Sequence, residues 1–238
     1  MKLDILAIGV HPDDVELSAT GTLLKAISQG KKVGILDLTQ GELGTRGSAE
    51  LRLIEAQNSA KIQGLHIREN LGMADGYFMN DEFHQRKIIQ ILRKYQPDVI
   101  LSNAPTDRHP DHGRASKLVS DACFYSGLRK VETQLDGAVQ QEWRPRAIYN
   151  YIQDRYLDPD FVVDFTPFID QKLEAIMAFS SQFYDPNSDE PESPISSENF
   201  IHHIKGRWSN FGRLINVDYA EGFLAERPFG VSDITELL

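Results

Sequence analysis

Twice in this chain a short apolar run, bounded for a buried strand, ends in a cluster of imidazoles and carboxylates and passes straight into a helical pattern. The first run is Leu3-Asp4-Ile5-Leu6-Ala7-Ile8-Gly9. It delivers Val10-His11-Pro12-Asp13-Asp14-Val15-Glu16, and a helix is expected over Leu17 to Ile27, with Gly30 as its stop. The second, Asp98-Val99-Ile100-Leu101-Ser102, delivers Asp107-Arg108-His109-Pro110-Asp111-His112-Gly113, with a helix expected over Ala115 to Tyr125. Continuous apolar runs are the mark of strands covered on both faces, as in parallel sheets. In such open α/β sheets, ligands bind beyond the carboxyl ends of the strands. Two acid/imidazole clusters at two strand ends therefore predict one metal site assembled from two connections.

The rest of the chain keeps the same alternation. Val33 to Leu38 reads as a strand, followed by a glycine-rich loop, Thr39 to Gly47. Ser48 is a fitting N-cap for a helix over Leu51 to Gln63, and His66 to Leu71 reads as a short strand. Asp81 caps an amphipathic helix whose apolar face holds Phe83, Ile88, Ile89, Ile91 and Leu92, and Pro97 ends it. Ala147 to Ile152 and Phe161 to Phe165 are further strands, and Thr166-Pro167 opens a helix through Ser180. Phe183 to Ser197, with Pro186, Pro191 and Pro194 and no apolar period, is a loop. Ser197 then caps a helix through Phe211, and Tyr219 to Phe223 closes the pattern. Without an internal repeat or a clean linker, the prediction is one α/β domain over 1–238: a mostly parallel sheet with helices on both faces and an added C-terminal layer.

Composition narrows the function classes. A net charge of −10 argues against a nucleic-acid groove, which carries a basic footprint. The single cysteine, Cys123, rules out an intrachain disulfide framework, and its apolar helical context makes it a core thiol rather than a nucleophile. The opening apolar run is too short for a signal peptide or membrane span, so a soluble cytoplasmic protein is expected. The Gly41/Gly44/Gly47 loop is followed by no Gly-Lys-Ser/Thr, and Gly9 begins no GxGxxG fingerprint, so no nucleotide cofactor is expected.

His11, Asp14 and His112 together offer two imidazoles and one carboxylate. That set suits Zn²⁺ or another divalent transition metal such as Fe²⁺, with a coordination position left open. An open zinc site lowers the pKa of its water to roughly 7. Asp13 is then free to act as general base, and His109, held as imidazolium, to stabilise an oxyanion, with Asp111 orienting its ring. The same ligand trio also describes the facial triad of non-haem iron oxygenases; the additional Asp13, His109 and Asp111 favour hydrolysis.

His11-Pro12-Asp13-Asp14-Val15-Glu16 with His109-Pro110-Asp111-His112 resembles the LmbE-like (PIG-L type) zinc-dependent N-acetylglucosamine deacetylases. Leu38 to Gly47, Arg52/Glu55-Ala56, Met73 to Gly76, Ser181 to Tyr184 and Tyr219 to Phe223 extend the likeness over nearly the whole chain. They resemble in particular the branch acting on N-acetylglucosaminyl-malate in bacillithiol biosynthesis. The resemblance implies a Rossmann-like LmbE-like fold, a homo-oligomer such as a hexamer, and a small amino-sugar conjugate as substrate. It implies His11, Asp14 and His112 as ligands, Asp13 as base, and His109 as acid or oxyanion partner with Asp111 behind it. A tyrosine found five residues before the last histidine ligand in some relatives is here Asp107, and Tyr184 is a candidate to replace it. A malate-bearing sugar calls for arginines. The candidates are Arg46, Arg52, Arg144 and Arg146, with Arg52 and Arg144 preferred.

Overall fold

In the computed structural model, which describes residues 1–236, nine strands and seven α-helices are found. In chain order they are β1 (Ile5–Gly9), α1 (Asp14–Ser18), α2 (Thr20–Ser28), β2 (Val33–Thr39), α3 (Ala49–Gln63), β3 (Ile67–Met73), α4 (Glu82–Tyr95), β4 (Val99–Asn103) and α5 (Pro110–Ser126). There follow β5 (Gln134–Leu135), β6 (Ala138–Val139), β7 (Ala147–Tyr151), β8 (Phe161–Asp164), α6 (Ile169–Met177), α7 (Phe200–Arg213) and β9 (Ala220–Ala225). Seven strands form one sheet in the order β3-β2-β1-β4-β7-β9-β8, and β9 alone among them runs against the direction of the other six. This is the expected mostly parallel α/β sheet. Among the described residues no helix is long and apolar enough to cross a membrane.

Period-two alternation assigns the strand residues to the two faces. Leu6, Ile8, Leu36 and Ile100 pack on Ile88, Leu92, Leu118 and Val119 of α4 and α5. Ala7, Ile35 and Leu101 face the other way, onto Val15, Ala19 and Leu23. Beyond that second layer, Leu17 and Phe165 meet Ile176 of α6, Phe179 just after it, and Ile204 and Trp208 of α7, which is the added C-terminal layer.

The chain reverses its direction of travel across the sheet at β1: β2 lies on one side and β4 on the other. Ile5 is in register with Val99, and Ala7 with Leu101, so the carboxyl ends of β1 and β4 lie side by side. A crevice at this switch point is where an open α/β sheet accepts a ligand. Both acid/imidazole clusters open on it.

Several boundaries differ from expectation. The helix expected over Leu17 to Ile27 begins earlier, at Asp14, and is broken at Ala19, whose φ of −135° is not helical. The helix expected from Ala115 begins at Pro110, because His109 caps it and proline is pre-organised for a first turn. The second cluster is therefore a helix start rather than a free loop. Thr166–Phe168 form a 3₁₀ turn before α6, and α7 starts after Asn199 rather than Ser197. The β5–β6 hairpin, turning on Asp136-Gly137 with positive φ at both, was not expected. Ser48 and Asp81 do cap α3 and α4, accepting from Leu51 and His84.

Candidate metal centre and active site

Asp14 stands at the centre of the site. Its Oδ2 accepts the backbone N–H groups of Val10 and His11, both at 3.0 Å, and Nδ2 of Asn103 at 3.1 Å. Its Oδ1 accepts Nε2 of Gln153 at 2.8 Å. Two imidazoles converge on this carboxylate: His11 Nδ1 lies 3.6 Å from Oδ2 and His112 Nε2 lies 3.3 Å from Oδ1. Burial pushes the Asp14 carboxyl up, but the charge of His112 and hydrogen bonds from both histidines outweigh it and hold the group well below the usual carboxylate range.

Each histidine's other nitrogen is held by a second carboxylate. His11 Nε2 meets Asp75 Oδ1 at 2.9 Å, and His112 Nδ1 meets Asp107 Oδ2 at 2.6 Å. Burial lowers both imidazoles, yet their acidic partners raise His11 to about 9 and His112 to about 10. Surroundings that attract a proton this strongly attract a divalent cation for the same reason. Imidazole ligands oriented by a carboxylate on the far nitrogen are a recurring feature of metal sites. By this test of donor chemistry, His11, Asp14 and His112 fit a divalent cation. The ring nitrogens of His11, His109 and His112 also lie within 4.8 Å of one another.

Asp13 is buried beside these groups. Its backbone has φ 119° and ψ −23°, an uncommon conformation for a residue with a Cβ. Burial pushes its carboxyl up to about 7, against the opposing charge of Arg52, whose Nη2 lies 3.1 Å from Oδ2.

Burial, and then the neighbouring histidines, lower the pKa of His109, which works against the expected imidazolium. The expected support from the Asp111 carboxylate is replaced by a different contact: as cap of α5, His109 Nδ1 accepts the backbone N–H of Asp111 at 3.3 Å. That leaves the ring proton on Nε2, where a neutral imidazole still donates. The ring stands 4.7 Å from that of His11 and 5.3 Å from that of His112, centroid to centroid. The Asp111 carboxylate instead accepts from Gly76 N at 2.9 Å and Arg114 Nη1 at 2.9 Å, fastening α5 to the turn after β3.

A cavity of about 440 Å³ opens over these residues. Leu43, Gly44 and Thr45 of the glycine-rich loop line one side and Ser193, Pro194 and Ile195 of the proline-rich loop another. Arg46 ties these two loops together, donating to Ser181 O at 3.0 Å and Ser188 Oγ at 2.9 Å.

The expected arginine pair is not brought together. Arg144 precedes β7, and the amino end of a parallel strand lies at the edge of the sheet away from the cavity. There its guanidinium stacks over Phe124 at 4.5 Å and donates to Phe124 O. Arg146 is close by, near Asp98. Arg52 does border the cavity, but its two terminal nitrogens are engaged within the protein, on Asp13, Pro12 O and Gly41 O, while its Nε is buried without a partner. Tyr184 lies outside the cavity lining among the described residues. Asp107 does not substitute for a tyrosine; it orients His112. Asp75, Asn103 and Gln153 were not singled out as site residues in the sequence. Asp75 alone carried a signal, as an acidic residue in the turn after a strand.

A His/Asp cluster at the switch point of a mostly parallel sheet, with donors that fit a divalent cation, defines the class of α/β protein. Comparison with known proteins sharpens that class. The model of the PIG-L family, GlcNAc-PI de-N-acetylase, matches residues 6–123. A crystal structure of the conserved protein TT1542 from Thermus thermophilus superposes with a TM-score of 0.86 and 34% identity, over 99% of this chain and 100% of that one. Diacetylchitobiose deacetylase of Thermococcus kodakarensis is 29% identical over 75% of this chain and 70% of its own length. Probable N-acetyl-alpha-D-glucosaminyl L-malate deacetylase 2 of Bacillus anthracis is 25% identical over 75% of this chain and 81% of its own. The chain belongs to the PIG-L family.

Proposed function

We propose that this protein is a metal-dependent N-deacetylase that removes acetyl from an N-acetylglucosaminyl conjugate. The observation that carries the proposal is the shared Asp14 carboxylate, flanked by two carboxylate-backed imidazoles with a second, differently placed aspartate alongside. A divalent ion such as Zn²⁺ or Fe²⁺, held by His11, Asp14 and His112, would supply Lewis acidity that makes water nucleophilic near neutral pH. Asp13 takes the proton from the attacking water, and burial keeps it basic enough to do so. His109, neutral with its proton on Nε2, donates to the oxygen on which negative charge develops. The protonated Asp13 then supplies the departing amine. The names of the two deacetylase relatives support this substrate class.

For the group carried by the sugar, we favour malate, as in bacillithiol biosynthesis. Arg108 lines the cavity with its side chain 46% exposed; its Nε pairs with Asp154, and its terminal nitrogens remain to meet a carboxylate there. The competing substrate is a neutral disaccharide such as diacetylchitobiose.

Acetate release by metal-defined protein, assayed on N-acetylglucosaminyl-malate and on diacetylchitobiose, tests the proposal. Release should persist without oxygen, stop on chelation and return with added metal. Failure to release acetate from every conjugate, or a requirement for oxygen, overturns it.

A further inference from the structure

We propose that Arg52 is a positioning residue that holds Asp13 in its catalytic place, rather than a clamp for a substrate carboxylate. The proposal rests on Asp13 being the general base of the deacetylation proposed above.

Arg52 lies on the first turn of α3, where its backbone N–H donates to Ser48 O at 2.9 Å. The side chain runs inward, and the residue is 4% exposed. Nη2 is shared between Pro12 O at 2.6 Å and Asp13 Oδ2 at 3.1 Å. Nη1 donates to Gly41 O at 3.2 Å. One guanidinium thus grips the carboxylate of the base, the carbonyl just before it, and the glycine-rich loop. A planar fork with fixed donor directions can span three acceptors in this way; an ammonium on a flexible stem is a point charge.

Two further features suit that role. Asp13 sits at φ 119°, a strained conformation that persists only where its surroundings over-determine it. The Arg52 contacts on both sides of the Pro12–Asp13 peptide are part of that restraint. Gly41 is also shaped to the guanidinium: it has φ +65°, and a Cβ there would lie 2.0 Å from Nη1. The loop has been left bare where the arginine passes. The one donor nitrogen without a partner, Nε, is buried, so a substrate carboxylate would have to draw a terminal nitrogen away from a buried acceptor.

Steady-state kinetics on diacetylchitobiose and on a malate-bearing conjugate separate the two roles. The variants are Arg52→Ala, Arg52→Lys, Asp13→Ala and the double variant, with metal content measured on each. Positioning predicts that Arg52→Ala lowers kcat on both substrates by the same factor, on the order of 10²-fold, as a displacement of about 1 Å costs. KM should stay within about twofold and metal content should match wild type. In the Asp13→Ala background, removing Arg52 should lower the residual kcat no further, because there is no base left to position. Arg52→Lys keeps the charge and most of the buried stem, so it covers a failure of the alanine variant to fold. It should lose kcat on both substrates to a smaller and equal degree. A rise in KM confined to the malate conjugate, with kcat unchanged, overturns the proposal, as does a fully additive loss in the double variant. A wild type that releases no acetate from either conjugate instead overturns the function itself.

Discussion

At the residue scale, the two nitrogens of each candidate ligand histidine, His11 and His112, have separate tasks. One faces Asp14; the other is occupied by Asp75 in His11 and by Asp107 in His112. The outer carboxylates fix the ring orientation and raise its basicity, so losing one weakens the centre without removing a ligand. Asp75→Asn and Asp107→Asn should each lower metal affinity by roughly 10–100-fold, measured by competition with a chelator. Unchanged affinity would separate those carboxylates from the metal site. The candidate ligands were legible in the sequence, because His11, Asp14 and His112 fall at the ends of apolar runs, and the structure brings both imidazoles onto the one carboxylate. Their supports were not. Asp75 is 64 residues from His11, and nothing in linear spacing ties the two. The lowered pKa of His109 was hidden for a related reason: it follows from burial and from the proximity of two other imidazoles.

At the element scale, the turn from β1 into α1 and the break at Ala19 aim Asp13 and Asp14. No glycine or proline marks the break, so the sequence reads through it as one helix. Its cause is tertiary. Glu221 of β9 accepts the Gly21 N–H at 2.8 Å and the Thr22 N–H at 2.7 Å, which caps α2 separately from α1. Lys172 of α6 pairs with the same carboxylate, and both side chains are fully buried. Close packing sets the position of α2 as well: a Cβ on Gly21 would lie 2.3 Å from Cγ of Phe165. Gly21→Ala should destabilise the fold by about 1–3 kcal/mol, as overpacking of a filled core does. A lowered denaturant midpoint would report it, and an unchanged midpoint would show that Phe165 yields freely. Where a boundary depended on local chemistry, as at Ser48 and Asp81, the sequence placed it correctly.

At the scale of the whole molecule, function follows from topology. The order β2-β1-β4 places the carboxyl ends of two strands distant in sequence side by side, and each brings part of the centre. The strand alternation already implied such an edge. It also implied that a residue just before a parallel strand lies at the opposite edge, which is why Arg144 stands apart from the cavity. The reversed strand β9 was beyond reach, since an apolar run carries no sign of its direction. The central claim is that the edge holds a metal with one aspartate and uses the neighbouring aspartate for proton transfer. Its most direct test is metal content and acetate release measured together on Asp13→Ala. The variant should retain metal at the wild-type ratio while kcat falls by roughly 10²–10⁴-fold, the usual worth of a positioned general base. Turnover near the wild-type value, or loss of the metal along with the activity, would contradict it.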